Sequence, residues 1–303
     1  MVPYKTFLIA GPTASGKSGL ALKLAQKHNG VIVNTDSMQV YRDLRIVTAR
    51  PTINDELAAP HRLYGTIDAA KPFSTGSWLR AIDGLLPQLR REFSTVIFVG
   101  GTGLYFNALT LGLSEIPETP LELRHDLRRE LAELGPQELH RQLDRKDPEM
   151  AVLLEPADGQ RILRALEVLL HTGHSLRHWQ NIKTTPLVDL ASLETKAIVL
   201  DPNRDGLATK IEQRFNQMVE RGALEEVSAL LQNAPEPALP IMKAIGVKEL
   251  GCYLAGQSSL ETASKNAVTS SQQYAKRQRT WFRGQMGSHW SRFAEVDAVI
   301  KTL

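Results

Sequence analysis

Only one cysteine, Cys252, occurs in the chain, which excludes an internal disulfide and a cysteine-ligated zinc or iron–sulfur centre. Standing alone, it reads as a small buried apolar residue. Acidic residues are missing from 262 to 294, a stretch that carries Lys265, Lys276, Arg277, Arg279, Arg283 and Arg292 among Trp281, Phe282 and Trp290. No apolar run approaches the roughly 20 residues needed to cross a bilayer. The opening Met1-Val-Pro-Tyr-Lys-Thr6 lacks the basic and long apolar regions of a secretory signal. These absences predict a cytoplasmic protein without a membrane anchor, with a monomer as the default. A net charge of +3, with 42% hydrophobic and 23% charged residues, describes an ordinary globular chain. Any attraction to phosphate must therefore come from local clustering rather than overall charge.

Short apolar runs alternate with amphipathic stretches in the first third. Strands are predicted over 7–10, 31–33 and 96–99, and a helix over 17–28 with Leu20 and Leu24 turned inward. Strands separated by helical patterns imply βαβ units and a parallel sheet flanked by helices. Beyond Leu113 the texture becomes helical and charge-rich. Leu123, Leu127, Leu131 and Leu134 recur at helical spacing, Gly135-Pro136 breaks that helix, and another runs over 158–171, with Gly173 as its stop. Ala197-Ile-Val-Leu200 then returns to the sheet. The fold class is α/β: a catalytic core from 1–114 and 196–303, interrupted by an all-helical insertion over 115–195.

Gly11-Pro-Thr13-Ala14-Ser15-Gly16-Lys17-Ser18 matches the phosphate-loop pattern G-x-x-x-x-G-K-[ST] in full. Its glycines let backbone N–H groups curl around an anion, and the following helix adds partial positive charge. Lys17 supplies a full charge to the terminal phosphates, and the Ser18 hydroxyl is placed to ligate Mg²⁺. Asp36 follows the second strand at the end where open α/β sheets bind ligands. It can serve as a general base, hold a metal-bound water, or cap a following helix. Gly100-Gly-Thr102-Gly-Leu-Tyr105 follows the third strand, where glycines permit close approach to a ligand or simply make a tight turn. This strand does not end in an acidic residue, as the metal-binding strand of most P-loop ATPases does, and that weakens a reading as a nucleotide hydrolase. Arg161 and Arg164 share one face of the insertion helix, opposite its leucines, and His171, His174, Arg177 and His178 extend the basic character. They form a solvated face or one that meets phosphate. The basic segment 262–294 leaves the same choice.

Taken together and in order, Gly11–Ser18, Asp36-Ser37-Met38-Gln39-Val-Tyr41, Val99–Tyr105, Arg161–Glu167, Arg214-Phe through Met218 with Gly222, and Arg277–Arg283 resemble the bacterial tRNA dimethylallyltransferases over nearly the whole chain. That family moves a dimethylallyl group from its diphosphate to N6 of adenosine 37, beside the anticodon, in tRNAs reading codons that start with U. The resemblance implies that Gly11, Thr13, Ala14, Ser15, Gly16, Lys17 and Ser18 bind an allylic diphosphate, aided by Mg²⁺ on Ser18 and by Arg214 and Arg283. It implies Asp36 as the base and Thr102 as its support. It further implies tRNA contacts from Asp36, Ser37, Met38, Gln39 and Thr102, with Gln39 reading the adenine edge. On the insertion, Arg124, Gln160, Arg161, Ile162, Leu163 and Arg164 inherit a grip on the anticodon stem-loop. One departure is Val247 in Lys243-Ala-Ile-Gly-Val247, where many relatives carry tyrosine. Other readings of the same loop are a kinase using ATP, a transferase acting on free adenine nucleotides, and a non-enzymatic RNA-binding protein.

Overall fold

A computed structural model describes residues 5–233 and 236–303, so residues 1–4 of the opening segment lie outside what it describes. The chain divides into two compact units, one running up to Thr110 and resuming over Leu187–Leu303, the other Leu111–Pro186. The expected insertion over 115–195 is thus shifted toward the N-terminus. Two contacts set its ends: Ser114 bridges Lys183 in antiparallel fashion, and the Leu113 N–H donates to Thr184 Oγ1 at 3.0 Å. Immediately afterwards, the Leu187 and Val188 N–H groups both donate to the Leu109 carbonyl.

The larger unit is built on β1 (Lys5–Ala10), β2 (Gly30–Asn34), β3 (His61–Arg62), β4 (Thr95–Gly100), β5 (Thr195–Leu200) and β6 (Trp290–Phe293). They lie in the order β3-β2-β4-β1-β5-β6, with every pairing parallel. The four inner strands are the apolar runs predicted from sequence. β3 and β6 escape that reading because edge strands are half-covered and short: β3 has two residues, and only Trp290 of β6 is buried.

Strand alternation places Phe7, Ile9, Ile32, Ile97, Val99, Ile198 and Leu200 in one cluster with Leu20, Ala21, Leu24 and Ala25 of the helix Lys17–His28. Fully burying each such aliphatic side chain contributes about 1.5–3 kcal/mol. That helix stops at Asn29, which takes the left-handed conformation (φ 47°) and donates its N–H to the Ala25 carbonyl. Trp78, from the helix Thr75–Glu92, is fully buried; it stacks on Tyr105 at 4.4 Å between centroids and donates its indole N–H to the Asn34 carbonyl. A further cluster gathers Val40, Tyr41, Leu44 and Val47 against Phe215, Met218, Val227, Ile241, Val247 and Leu250. Cys252 is only half-buried, on the helix Val247–Leu254, rather than in the core.

The smaller unit closes around Leu127, Leu139, Leu143, Met150, Ile162 and Leu166. Its helices Leu121–Leu134, Pro136–Lys146 and Gly159–Thr172 follow the leucine spacing and break where glycine and proline stand. Asp158 caps the last of them by accepting the Arg161 N–H at 3.2 Å, and Gly173 (φ 72°) ends it.

Two glycines separate conformational from steric demand. A methyl at Gly84, inside the helix Thr75–Glu92, would meet nothing within 4 Å, whereas one at Gly100 would stand 2.2 Å from the Thr35 backbone. Gly84→Ala should therefore stabilise by about 0.5–1 kcal/mol, raising Tm by about 2 °C. Gly100→Ala should lower it by about 5 °C through overpacking. Thermal denaturation followed by circular dichroism checks both, and equal shifts would contradict this account of the β4 end.

Candidate active site

Because β2, β4, β1 and β5 are parallel neighbours, their carboxyl ends share one edge. Ala10 aligns with Gly100 and Val199, and Asn34 with Val99. The segments leaving those ends are the phosphate loop after β1, Thr35–Gln39 after β2, Gly101–Gly103 after β4, and Asp201 after β5. The motifs that the sequence scatters over two hundred residues meet here.

The loop Gly11–Ser18 turns through Ala14 (φ 62°) and Gly16 (φ 87°) into the helix that Lys17 opens. Lys17 Nζ donates to the Pro12 carbonyl at 3.1 Å. Its ammonium is pulled down to about 8, chiefly by burial; attraction to Asp36 opposes this and repulsion from Arg214 adds to it. Arg214, on the helix Arg204–Glu220, donates from Nη2 to Thr13 Oγ1. Burial lowers its basicity too, with Asp36 again opposing. Asp36 is therefore within electrostatic reach of both cations. The Ser15 hydroxyl is buried without a partner, a donor inside a cradle suited to anions. Ser18 is exposed on the first turn of the helix. It is a hard oxygen donor of the kind that suits a Mg²⁺ drawing most of its shell from diphosphate and water. Among the described residues no group of three or more His, Cys, Asp or Glu forms an all-protein cage.

Asp36 is set by its neighbours rather than by a helix. Asn34, fully buried at the end of β2, accepts the Asp36 N–H at 2.8 Å and donates to the Asp36 carbonyl at 2.9 Å and the Leu63 carbonyl at 3.1 Å. Asp36 Oδ1 accepts the Met38 N–H at 3.0 Å, so it caps a turn; the expected helix after it does not form. Its Oδ2 is the oxygen that faces Gly101. Thr102 ties the adjoining loop to this one: Oγ1 accepts the Ser37 N–H at 3.0 Å and donates to Ser37 Oγ at 3.3 Å, and the Thr102 N–H donates to the Thr35 carbonyl at 3.2 Å. Burial raises the phenols of Tyr64, Tyr105 and Tyr274, and the Asp36 charge raises them further. All three thus remain neutral hydroxyls around the carboxylate.

Several anticipated contacts take a different form. The glycines after β4 make room for the protein's own side chains: a methyl at Gly101 would stand 2.2 Å from Gln278 Nε2, and one at Gly103 would stand 2.1 Å from the Trp281 ring. Gln39 spends its amide on the Thr48 and Ala49 carbonyls at 2.8 and 3.0 Å, so it secures the following segment instead of presenting an NH₂ group to a base. Glu226 holds the same segment by accepting the Arg45, Ile46 and Val47 N–H groups at 2.6–3.0 Å. Arg283 is exposed and paired with Asp201 at 3.2 Å, beside Arg279 at 2.5 Å. Val247 is buried in the core cluster, where an apolar side chain is what the packing admits. Ser37 and Met38 stay half-buried beside Asp36.

On the smaller unit, Ile162 is fully buried and Leu163 packs against the same core. The prediction that both touch tRNA is corrected for Ile162, because a helix facing its own core cannot offer that side chain outward. Gln160 and Arg161 are exposed, with Arg161 on Asp158 at 3.3 Å. Arg164 is drawn inward to Thr119 and Glu167, each at 3.4 Å, and Arg124 is half-buried. His174 and His178 stack at 4.9 Å with Trp179 edge-on, forming an aromatic cluster.

The basic segment of the larger unit places aromatics in the core, as one of its readings has it. Trp290 and Phe282 are core residues, and Arg292 caps the long helix Leu260–Gln285 by donating to the Phe282 and Met286 carbonyls at 2.8 and 3.0 Å. Asn34, Asp201 and above all Gln278 were given no role from sequence, and Trp281 was read only as an aromatic of the basic segment. The available signal was a glutamine about five turns into a basic helix, in helical register with Tyr274 and Trp281.

Comparison with known proteins bears on this arrangement. Residues 39–285 match the family model described as IPP transferase. A tRNA dimethylallyltransferase of Chelativorans sp. (strain BNC1) is 51% identical over 93% of this chain and 96% of its own. One of Rhodopseudomonas palustris (strain ATCC BAA-98 / CGA009) is 50% identical over 98% and 92%. Among solved structures, the tRNA isopentenylpyrophosphate transferase of Bacillus halodurans is 32% identical, with a TM-score of 0.68 over 98% of this chain and 93% of that one. A eukaryotic dimethylallyltransferase acting on tRNA is 29% identical, with a TM-score of 0.77 over 92% and 70%.

The lowered Lys17 basicity gives the anion site a pH signature. Near pH 8 the free protein holds Lys17 partly deprotonated, and an anion on the loop favours the charged form. Binding should therefore take up a proton and weaken as pH rises through this value. Calorimetry with dimethylallyl diphosphate in buffers of different ionisation enthalpy should show net uptake at about pH 8, shrinking toward neutrality and absent in Lys17→Met. Equal uptake in the variant would assign the proton elsewhere.

Proposed function

Since the chain belongs to the IPP transferase family, we propose that it transfers a dimethylallyl group from dimethylallyl diphosphate to N6 of an adenosine in tRNA, at position 37 beside the anticodon. The observation that carries this reading is the meeting of a cation-lined anion loop with a fixed carboxylate: Asp36 acts on both Lys17 and Arg214. A kinase could use the same loop and carboxylate, and the relatives named tRNA dimethylallyltransferase favour the transferase over it.

The exocyclic amine of adenine is a weak nucleophile because its lone pair is delocalised into the ring. Asp36 takes a proton from N6 as the N6–C1 bond forms, while the C1–O bond breaks and its electron pair leaves on the diphosphate. The N–H groups of Gly11–Ser18, Lys17 and Arg214 stabilise that developing charge, with Arg283 able to add its own once it parts from Asp201. Ser18 would help to hold Mg²⁺, which when bound would supply further neutralisation of the diphosphate charge. Thr102 keeps the Ser37 backbone, and so Asp36, in place. The target base must leave its stack, at about a few kcal/mol, and Ser37 and Met38 are the half-buried neighbours that receive it. Gln39 acts in this reading by shaping the segment behind them. On the smaller unit, Arg124, Gln160, Arg161 and Arg164 supply contacts to the anticodon stem-loop phosphates, with Leu163 at the edge of that face. A tRNA substrate fits work in the cytoplasm; among the described residues no helix is long and apolar enough to cross a membrane, and a monomer is the default.

Incubation with labelled dimethylallyl diphosphate, Mg²⁺ and unmodified tRNA should place label in the tRNA. Label only in added AMP, or ATP consumed with none transferred, would overturn the proposal. Asp36→Ala should cut kcat by about 10²–10⁴-fold with tRNA affinity within about threefold, since the base acts in the chemical step; unchanged turnover excludes it. Arg161→Ala with Arg164→Ala should weaken tRNA binding and reduce its salt slope by about 1 to 2. A loss confined to diphosphate affinity would place those arginines elsewhere.

A further inference from the structure

The geometry points to Gln278 as the positioning residue that sets the distance between the leaving-group loop and the base, an inference that rests on the transferase reading above. Gln278 lies on the long helix Leu260–Gln285, far in sequence from both loops, and is 5% exposed. Its Oε1 accepts the Thr13 N–H at 3.0 Å and its Nε2 donates to the Gly101 carbonyl at 2.9 Å. One planar amide thus spans the phosphate loop after β1 and the loop after β4.

Each end of that span continues into reactive machinery. Thr13 also receives Arg214 on its hydroxyl, so its N–H and its hydroxyl are both held by side chains from distant helices. Gly101 precedes Thr102, which holds the Ser37 backbone, and Ser37 follows Asp36. The chain of bonds therefore runs from the diphosphate cradle through Gln278 to the base. The two targets are of opposite kind, an N–H and a C=O, and glutamine offers one acceptor and one donor at a fixed separation. The approach is as close as it can be: a methyl at Gly101 would stand 2.2 Å from the amide nitrogen. Trp281, three residues on, covers Gly103 in the same way, so this face of the helix is pressed on the loop as a unit.

In-line transfer requires C1 to sit between the departing diphosphate oxygen and N6. Both substrates can bind to their own loops when the spacing is wrong, but the reacting atoms then miss each other. A misplacement of about 1 Å costs about 100-fold in rate. A residue that merely props up the fold would lower stability and leave kcat intact in whatever protein remained folded.

Gln278→Met keeps the length of the side chain and removes both bonds. In the full-length protein with dimethylallyl diphosphate, Mg²⁺ and unmodified tRNA, it should lower kcat by about 100-fold. Separately measured affinities for diphosphate and tRNA should stay within about threefold of the wild type. Gln278→Glu supplies a second readout. Its carboxylate can only accept, and so repels the Gly101 carbonyl. Its protonated form donates and accepts as the amide does. The ratio of Gln278→Glu to wild-type kcat should therefore rise as pH falls, burial having raised the introduced carboxyl. Asp36, Lys17 and Arg214 are present in both proteins compared, and Tyr274, whose phenol meets the side chain at position 278, is raised by burial and stays neutral throughout. Should Gln278→Met lose its cooperative thermal transition, the pH ratio decides alone. Variants that keep wild-type kcat, a loss confined to diphosphate affinity, or a ratio flat with pH would overturn the inference while wild-type transfer stands. A wild type that transfers nothing would overturn the functional reading and this inference with it.

Discussion

Parallel pairing of β2, β4, β1 and β5 is the constraint on which the rest depends. Neighbouring strands that run the same way end at the same edge, and an open sheet gathers its ligand-binding loops there. Each strand end supplies one component: the phosphate loop from β1, Asp36 from β2, Thr102 from β4, and Asp201, which pairs with Arg279 and Arg283, from β5. A mixed sheet of the same residues would scatter these across two edges. The apolar faces of the strands, filled by Leu20, Leu24 and the residues around Trp78, are what keep the four ends in register.

Buried polar groups then convert a shared edge into a fixed geometry. Asn34 uses both ends of its amide to shape the turn at Asp36, and Gln278 does the same between two loops. Such groups are costly to bury unless every hydrogen bond is made, so each resists small displacements of the backbone it touches. The glycines after β4 belong to this design. Their missing side chains are filled by the Thr35 backbone, Gln278 and Trp281, and the space that looked reserved for a ligand is occupied by the protein itself. The cations are arranged in the opposite sense. Lys17 and Arg214 are partly desolvated and lose basicity for it, which suits both to a polyanion that would replace the hydration they have lost.

Much of this was open to inspection in the primary structure, for reasons that can be named. The phosphate loop is a local motif whose function is carried by its own backbone, so Gly11–Ser18 could be read in place. The inner strands announce themselves because a parallel strand covered on both faces must be continuously apolar. The insertion helices follow leucine spacing and the Gly135-Pro136 break. Edge strands β3 and β6 lack such a signal. Ile162 illustrates a finer limit: it sits within a basic motif between Arg161 and Arg164, yet helical geometry turns it into the core while Arg161 faces out. Gln39 and Arg283 show that a residue type suited to a role does not reveal which partner claims it.

By itself, then, the amino-acid sequence determined that this is an α/β phosphate-loop protein with a helical insertion, and its ordered motifs carried the family. Those features rest on local periodicity and on contacts between near neighbours in the chain. Only the tertiary structure decided that Gln278 joins the phosphate loop to the loop after β4, that Glu226 and Gln39 brace the segment after Asp36, and that Arg164 turns toward Glu167. Each is a contact in which one or both groups could have bonded to many others. Which partner is taken depends on where the packed strands and helices place the backbone, and no spacing along the chain encodes that.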